Sequence, residues 1–88
     1  MLTKTLMILN KRGLHARASA KFVKVAEIFD AEVTVCKDGT SVSGCSIMGL
    51  MMLAAAPGCE IELSAKGPSA EEAMKALEEL VANKFDED

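Results

Sequence analysis

The 88-residue chain has no tryptophan, no tyrosine and only three phenylalanines, so it offers almost no ring surface on which a nucleobase could stack. Its net charge of −3 also denies a nucleic-acid backbone the basic field that such binding needs. Nucleic acid is therefore not expected as a partner. No apolar run approaches the roughly 20 residues of a membrane span, and the N-terminus has no signal-peptide apolar core. A cytoplasmic protein without membrane insertion is expected. Cys36, Cys45 and Cys59 are odd in number, lack C-x-x-C spacing and share the chain with one histidine, which falls short of a four-ligand zinc site. No metal and no cofactor are expected. The cysteines read as small, semi-buried residues in a reducing compartment, and Cys45, beside a predicted helix start, is the best placed to react.

What is present is globular: half the residues are apolar and 26% charged, in a length that supports one modest core over residues 1–88 and not two. Leu2, Leu6 and Ile8 alternate with Thr3, Thr5 and Met7, the mark of a half-buried strand. The polar turn Asn10-Lys11-Arg12-Gly13 changes the period from two to 3.6. Ala18, Phe22, Val25, Ala26 and Phe29 then form an apolar stripe opposite Lys21, Lys24 and Glu27, predicting a helix that packs on a sheet and begins at His15.

Alternation returns from Ala31, with Val33 and Val35 opposite Glu32 and Thr34. Asp38-Gly39 follows as a type I′ hairpin signal, because both central positions of that turn want φ > 0; the register pairs Lys37 with Thr40 and Val35 with Val42. Ile47, Leu50, Met51 and Ala54 resume helical spacing behind Ser46, a natural N-cap, until Pro57-Gly58 stops the segment. Cys59, Ile61, Leu63 and Ala65 alternate as a fourth strand. Ser69-Ala70-Glu71-Glu72 has the form of a capping box, with Ala73, Leu77, Leu80 and Val81 as the inward stripe of a last helix. Phe85-Asp86-Glu87-Asp88 reads as a frayed acidic tail.

The order β-α-β-β-α-β-α predicts an open-faced α/β (α+β) sandwich, with three helices on one face of a four-stranded antiparallel sheet. A right-handed first crossover lets the fourth strand insert between the first and second, giving the order 1-4-2-3.

The chemistry gathers at Arg12-Gly13-Leu14-His15-Ala16-Arg17. A neutral imidazole is a nucleophile, and here it opens a helix, where free N–H groups and the positive end of the helix dipole favour an anion and the neutral ring. A phosphoryl group on His15 would meet the N–H groups of Ala16 and Arg17 and a guanidinium able to grip two oxygens. A hydrolase would also need a base or metal to activate water, and no carboxylate lies near in sequence. The parts fit a carrier better than an enzyme. A histidine that merely caps the helix, beside a solvated Arg17, would account for the motif alone. Ser46 has a plain structural role as a cap, yet a phosphate there would sit at a helix N-terminus. Ile47, Met48, Met51 and Met52 leave the short helix apolar around most of its girth, as suits a surface that docks partners; Leu50 and Leu53 fit the core.

These segments together resemble the HPr family, the histidine-containing phosphocarriers of the bacterial phosphotransferase system. Gly13-Leu14-His15-Ala16-Arg17 resembles the active-site motif, Asp38-Gly39-Thr40-Ser41-Val42-Ser43 the hairpin, and Ser46-Ile47-Met48-Gly49-Leu50 the regulatory-serine segment. Gly67-Pro68 precedes the last helix as in the family. The resemblance implies that His15 accepts a phosphoryl group from enzyme I, ultimately from phosphoenolpyruvate, and passes it to an enzyme IIA. It also implies that Ser46 is a target of HPr kinase/phosphorylase and that Ile47, Met48 and Met51 dock partners. A monomer is expected. The family has proline where Ala18 stands, followed here by Ser19, so the first helical turn lacks that restraint. The ending Phe85-Asp86-Glu87-Asp88 resembles the nitrogen-related branch, whereas Lys21-Phe22-Val23-Lys24 and Ser46 resemble the general, sugar-uptake form. Two other readings compete: a small phosphohydrolase using Arg17 as its phosphate clamp, and a non-transferring allosteric module acting through Ser46 and the methionine-rich helix.

Overall fold

A computed structural model describes residues 1–87. Four strands, β1 (Leu2–Met7), β2 (Glu32–Lys37), β3 (Thr40–Ser43) and β4 (Glu60–Lys66), alternate with helices α1 (Ala16–Ala26), α2 (Ile47–Met52) and α3 (Ala70–Ala82) in the expected order. The sheet runs β1-β4-β2-β3, every neighbour antiparallel. The alternation in β2 and β4 puts Val33, Val35, Ile61, Leu63 and Ala65 on the helix side, where all are buried. The other face carries Glu32, Glu62 and half-buried Thr34 and Ser64.

The hairpin follows the reading of Asp38-Gly39. Both residues have positive φ, 51° and 84°, and Lys37 pairs with Thr40 and Val35 with Val42. Helix α1 buries Ala18, Phe22 and Ala26 as expected, and adds Ser19 and Val23. It ends at Ala26, so Phe29 packs against the core from beyond the helix.

Several expectations are corrected. β1 is barely half-buried: as an edge strand it meets only part of α3, Leu2, Thr3, Lys4 and Thr5 are exposed and Leu6 alone is intermediate. Lys4, on the side of Leu2 and Leu6, reaches Glu78 of α3 at 3.0 Å. Helix α2 stops at Met52, short of Pro57, because Ala54 turns left-handed (φ 53°). The capping box at Ser69 does not form: the serine is the N-cap residue of α3, but its hydroxyl caps no amide, while its own N–H donates to the Asp30 carbonyl at 3.0 Å. Met74, outside the expected stripe, is buried.

The largest correction is the C-terminus. The chain closes in a one-turn 3₁₀-type segment, Lys84–Asp86, with φ of 56°, 55° and 59°. Such left-handed residues cost roughly 1–2 kcal/mol each. The turn is offset by what it docks: Phe85 is completely buried, and its carbonyl accepts from Lys21 Nζ at 2.7 Å. The tail as far as Glu87 is thus packed and not frayed; Asp88, the rest of the expected tail, lies outside the described residues.

Phe85→Ala should therefore destabilise the protein by about 3 kcal/mol or more, the usual cost of emptying a buried phenylalanine site. Urea unfolding of wild type and variant measures it, and an unchanged midpoint would mean that the tail is not part of the core.

Candidate functional site

The turn that ends β1 reaches α1 through a narrow passage. Ile8 N–H donates to the Cys59 carbonyl at 2.9 Å and Gly58 N–H to the Ile8 carbonyl at 2.8 Å, extending the β1–β4 contact into the loops. Leu14 N–H then donates to the Ala55 carbonyl at 2.9 Å. Gly13, at φ +62°, passes so close that a Cβ would stand 2.1 Å from the Ala55 oxygen, so glycine is required for both its φ and its lack of side chain.

His15 is the N-cap of α1, with extended φ/ψ, and its side chain caps no amide. Among the described residues, the N–H groups of Ala16 and Arg17 have no hydrogen-bond partner, the usual state of a first turn. Arg17 is exposed and Ala18 buried. Where the sequence lacks proline, the turn is held by side chains: Ser19 Oγ donates to the Leu14 carbonyl at 3.1 Å, and Asn10 Nδ2 to the Gly13 carbonyl at 2.8 Å. Neither Ser19 nor Asn10 was singled out from sequence, and both are fully buried.

Glu87 was also missed. One of its carboxylate oxygens, Oε2, is hydrogen-bonded to His15 Nε2, and the other accepts from Asn10 Nδ2 at 2.9 Å. A carboxylate is therefore present after all, brought from 72 positions away. The Asn10 amide holds the Glu87 carboxyl below the usual carboxylate range; burial opposes the shift, and hydrogen bonding and charge from His15, with the charge of Lys21, add to it. Glu87 also lines an open cleft of about 470 Å³ with Lys11, Arg12 and Arg17. Three cations thus line a cleft with Glu87, whose carboxylate is seated against the His15 ring at the N-terminus of α1.

The second group of expected residues lies on α2. Ser46 is its N-cap as read, with Oγ accepting from Gly49 N–H at 3.0 Å. Leu50 and Leu53 are buried, while Ile47, Met48, Met51 and Met52 are exposed, Met48 and Met52 by 69% and 77%. The two groups are joined through packing of α1 against α2. Cys45 is exposed, Cys36 and Cys59 intermediate, and all three are free thiols. No helix is long and apolar enough to cross a membrane among the described residues.

Comparison with known proteins agrees with this geometry. A family model described as the PTS HPr component phosphorylation site matches residues 2–83. The phosphocarrier protein HPr of Neisseria meningitidis serogroup A is 53% identical over 87 residues, covering 99% of this chain and 98% of the relative. The crystal structure of HPr-C-His from Thermoanaerobacter tengcongensis superposes with a TM-score of 0.96 at 45% identity, covering 100% of this chain and 99% of that one. A crystal structure of an HPr dimer from the same organism matches with a TM-score of 0.79 at 46% identity, over 99% of this chain and 100% of that one.

Because the Glu87 carboxyl is held below its ordinary value of 4.5, its contribution to stability is complete above that pH and disappears as pH falls through the lower folded value. The stability gap between wild type and Glu87→Gln, measured by urea unfolding, should be full at pH 7 and shrink progressively below about pH 4.5. A gap that widens on acidification would contradict the contact.

Proposed function

The chain belongs to the HPr family, the phosphocarriers of the phosphotransferase system, and we propose that it accepts a phosphoryl group from enzyme I on His15 and hands it to an enzyme IIA. As a member of that family it is a carrier and not a catalytic enzyme, which retires the phosphohydrolase alternative. The observation that carries the reading is the single histidine standing at the N-cap of α1, before unpartnered backbone N–H groups and beside a cleft lined by Lys11, Arg12 and Arg17.

The roles follow from that placement. The amides of Ala16 and Arg17 meet two phosphoryl oxygens, and the Arg17 guanidinium, exposed at the surface, supplies the planar pair of donors that lysine cannot. Enzyme I takes the group from phosphoenolpyruvate. Ile47, Met48 and Met51 form the apolar part of the docking surface, joined to the histidine through the α1–α2 contact. Ser46 is the regulatory site, a target of HPr kinase/phosphorylase. Its hydroxyl already occupies the cap of α2, so an added phosphate need not unfold the helix and would act by placing charge next to Ile47 and Met48. The working unit is one chain in the cytoplasm. The C-terminal Phe85-Asp86-Glu87-Asp88 favours a regulatory, nitrogen-type relay over sugar uptake.

Incubation with enzyme I and phosphoenolpyruvate should add one acid-labile phosphoryl group by intact mass, and none to His15→Ala. Offered a panel of acceptors, the phosphoprotein should discharge to a nitrogen-type enzyme IIA faster than to sugar-specific ones. Arg17→Ala should slow transfer by about 10²-fold, the usual cost of losing one donor to developing charge, with unchanged thermal unfolding. Undiminished transfer would remove Arg17 from the mechanism.

A further inference from the structure

The exposed face of α2 and the histidine come from different parts of the chain, and a backbone corner joins them. Helix α2 closes through two tight i→i+3 bonds, from Leu53 N–H to the Leu50 carbonyl at 3.2 Å and from Ala54 N–H to the Met51 carbonyl at 3.1 Å. Ala54 then turns left-handed, at φ +53°. One residue later the Ala55 carbonyl accepts from Leu14 N–H at 2.9 Å, and a Cβ on Gly13 would stand 2.1 Å from that same oxygen and 3.0 Å from Ala56 Cα. His15 follows Leu14 directly. Two hydrogen bonds with one corner between them therefore lead from Met51, on the docking helix, to the residue before the histidine.

The corner is made of an unexpected residue. The position just past a helix end, where the backbone turns left-handed, is normally given to glycine or asparagine, because a Cβ crowds the following carbonyl there. The methyl of Ala54 is exposed, so its burial does not offset that crowding. A helix that only had to stop would be served better by glycine. Glycine, however, ranges widely over both signs of φ, whereas the left-handed well of an L-residue is narrow, at φ of about +50 to +70°. Alanine gives the corner one shape. Leu53 and Ala55, on either side of it, are both buried, which anchors the two arms and holds the strained residue in place.

Resting on the carrier reading, we propose that Ala54 is a positioning residue for His15: its left-handed corner, kept to one shape by the methyl group, holds the Ala55 carbonyl on Leu14 N–H and so fixes the histidine relative to the docking face of α2. Ala54 touches neither the phosphoryl group nor the ring; it acts through the backbone. A partner seated on Ile47, Met48 and Met51 then meets the imidazole already in place for in-line transfer. The precision matters, since a misplacement of about 1 Å is enough to slow a group transfer by roughly 10²-fold.

Two substitutions separate this role from that of a plain helix stop. Ala54→Gly allows the corner but leaves it loose, and Ala54→Asn keeps a Cβ on a residue that tolerates the left-handed well. Neither empties a core site, because the methyl is exposed. In Ala54→Gly, amide hydrogen exchange at Leu14 should quicken by about 10-fold while exchange in the middle of β4 stays at the wild-type rate, the signature of local loosening without global destabilisation. Phosphorylation of that variant by enzyme I and phosphoenolpyruvate should lose about 10-fold in kcat through misplacement of the ring, with KM for the carrier unchanged because the apolar docking residues are intact. Ala54→Asn should restore both readouts. If the corner served only to end α2, Ala54→Gly would match wild type in exchange and in rate. That result, a loss confined to KM, or an Ala54→Asn protein as slow as Ala54→Gly each overturns the positioning role alone. Failure of wild type to take up any phosphoryl group overturns the carrier reading, and the positioning role with it.

Discussion

The insertion of β4 between β1 and β2, antiparallel to both, is the constraint on which the rest of the molecule depends. It ties the loop after β1 to the loop before β4 through the Ile8 and Gly58 hydrogen bonds, and so brings Gly13 and Leu14 against Ala55. That contact is tolerated only because residue 13 is glycine and Ala54 turns left-handed. The direction and starting point of α1 follow, and with them the place of His15. From the other end of β4 the chain runs into α3, which packs on β1, β4 and α1. Its end delivers Phe85 to the core and Glu87 to the histidine. One strand thus fixes both halves of the site.

The electrostatics of the site are balanced in a way that neither half would produce alone. A helix N-terminus with three nearby cations favours anions of any kind. The Glu87 carboxylate occupies part of that field and directs it through a single ring edge, and Asn10 keeps it from turning elsewhere. The same set of contacts compensates the missing proline. Where a pyrrolidine would stiffen the first turn of α1, Ala18 is buried and the restraint comes from the Ser19 hydroxyl, the Asn10 amide and the Leu14 N–H.

Much of the fold was legible in the sequence, and for specific reasons. Val33, Val35, Ile61, Leu63 and Ala65 announce buried strand faces through a period of two, and Asp38-Gly39 states its turn type and register through the φ values it tolerates. Ser46 is readable as a cap because capping is local. Ser69 offered the same signal and does not cap; its N–H is drawn to Asp30 in the loop between α1 and β2. β1 misled in a similar way: alternation records which side a residue faces, and an edge strand under a partial cover leaves that side exposed. Phe85 carried an unused signal, since it continues Leu77 and Val81 at i+4 spacing, all three of them buried.

By itself the sequence determined the elements, the hairpin register, the helix start at His15 with Arg17 in its first turn, and the family to which they belong, because each of these is written in residues within a few positions of one another. The tertiary structure alone decided that the acidic end of the chain is part of the site. His15 and Glu87 are 72 positions apart, Asn10 and Glu87 77, and Lys21 and Phe85 64. A glutamate in a polar tail has the same local pattern whether it is solvated or bonded to a histidine. Only the path of β4 and α3 through space distinguishes the two.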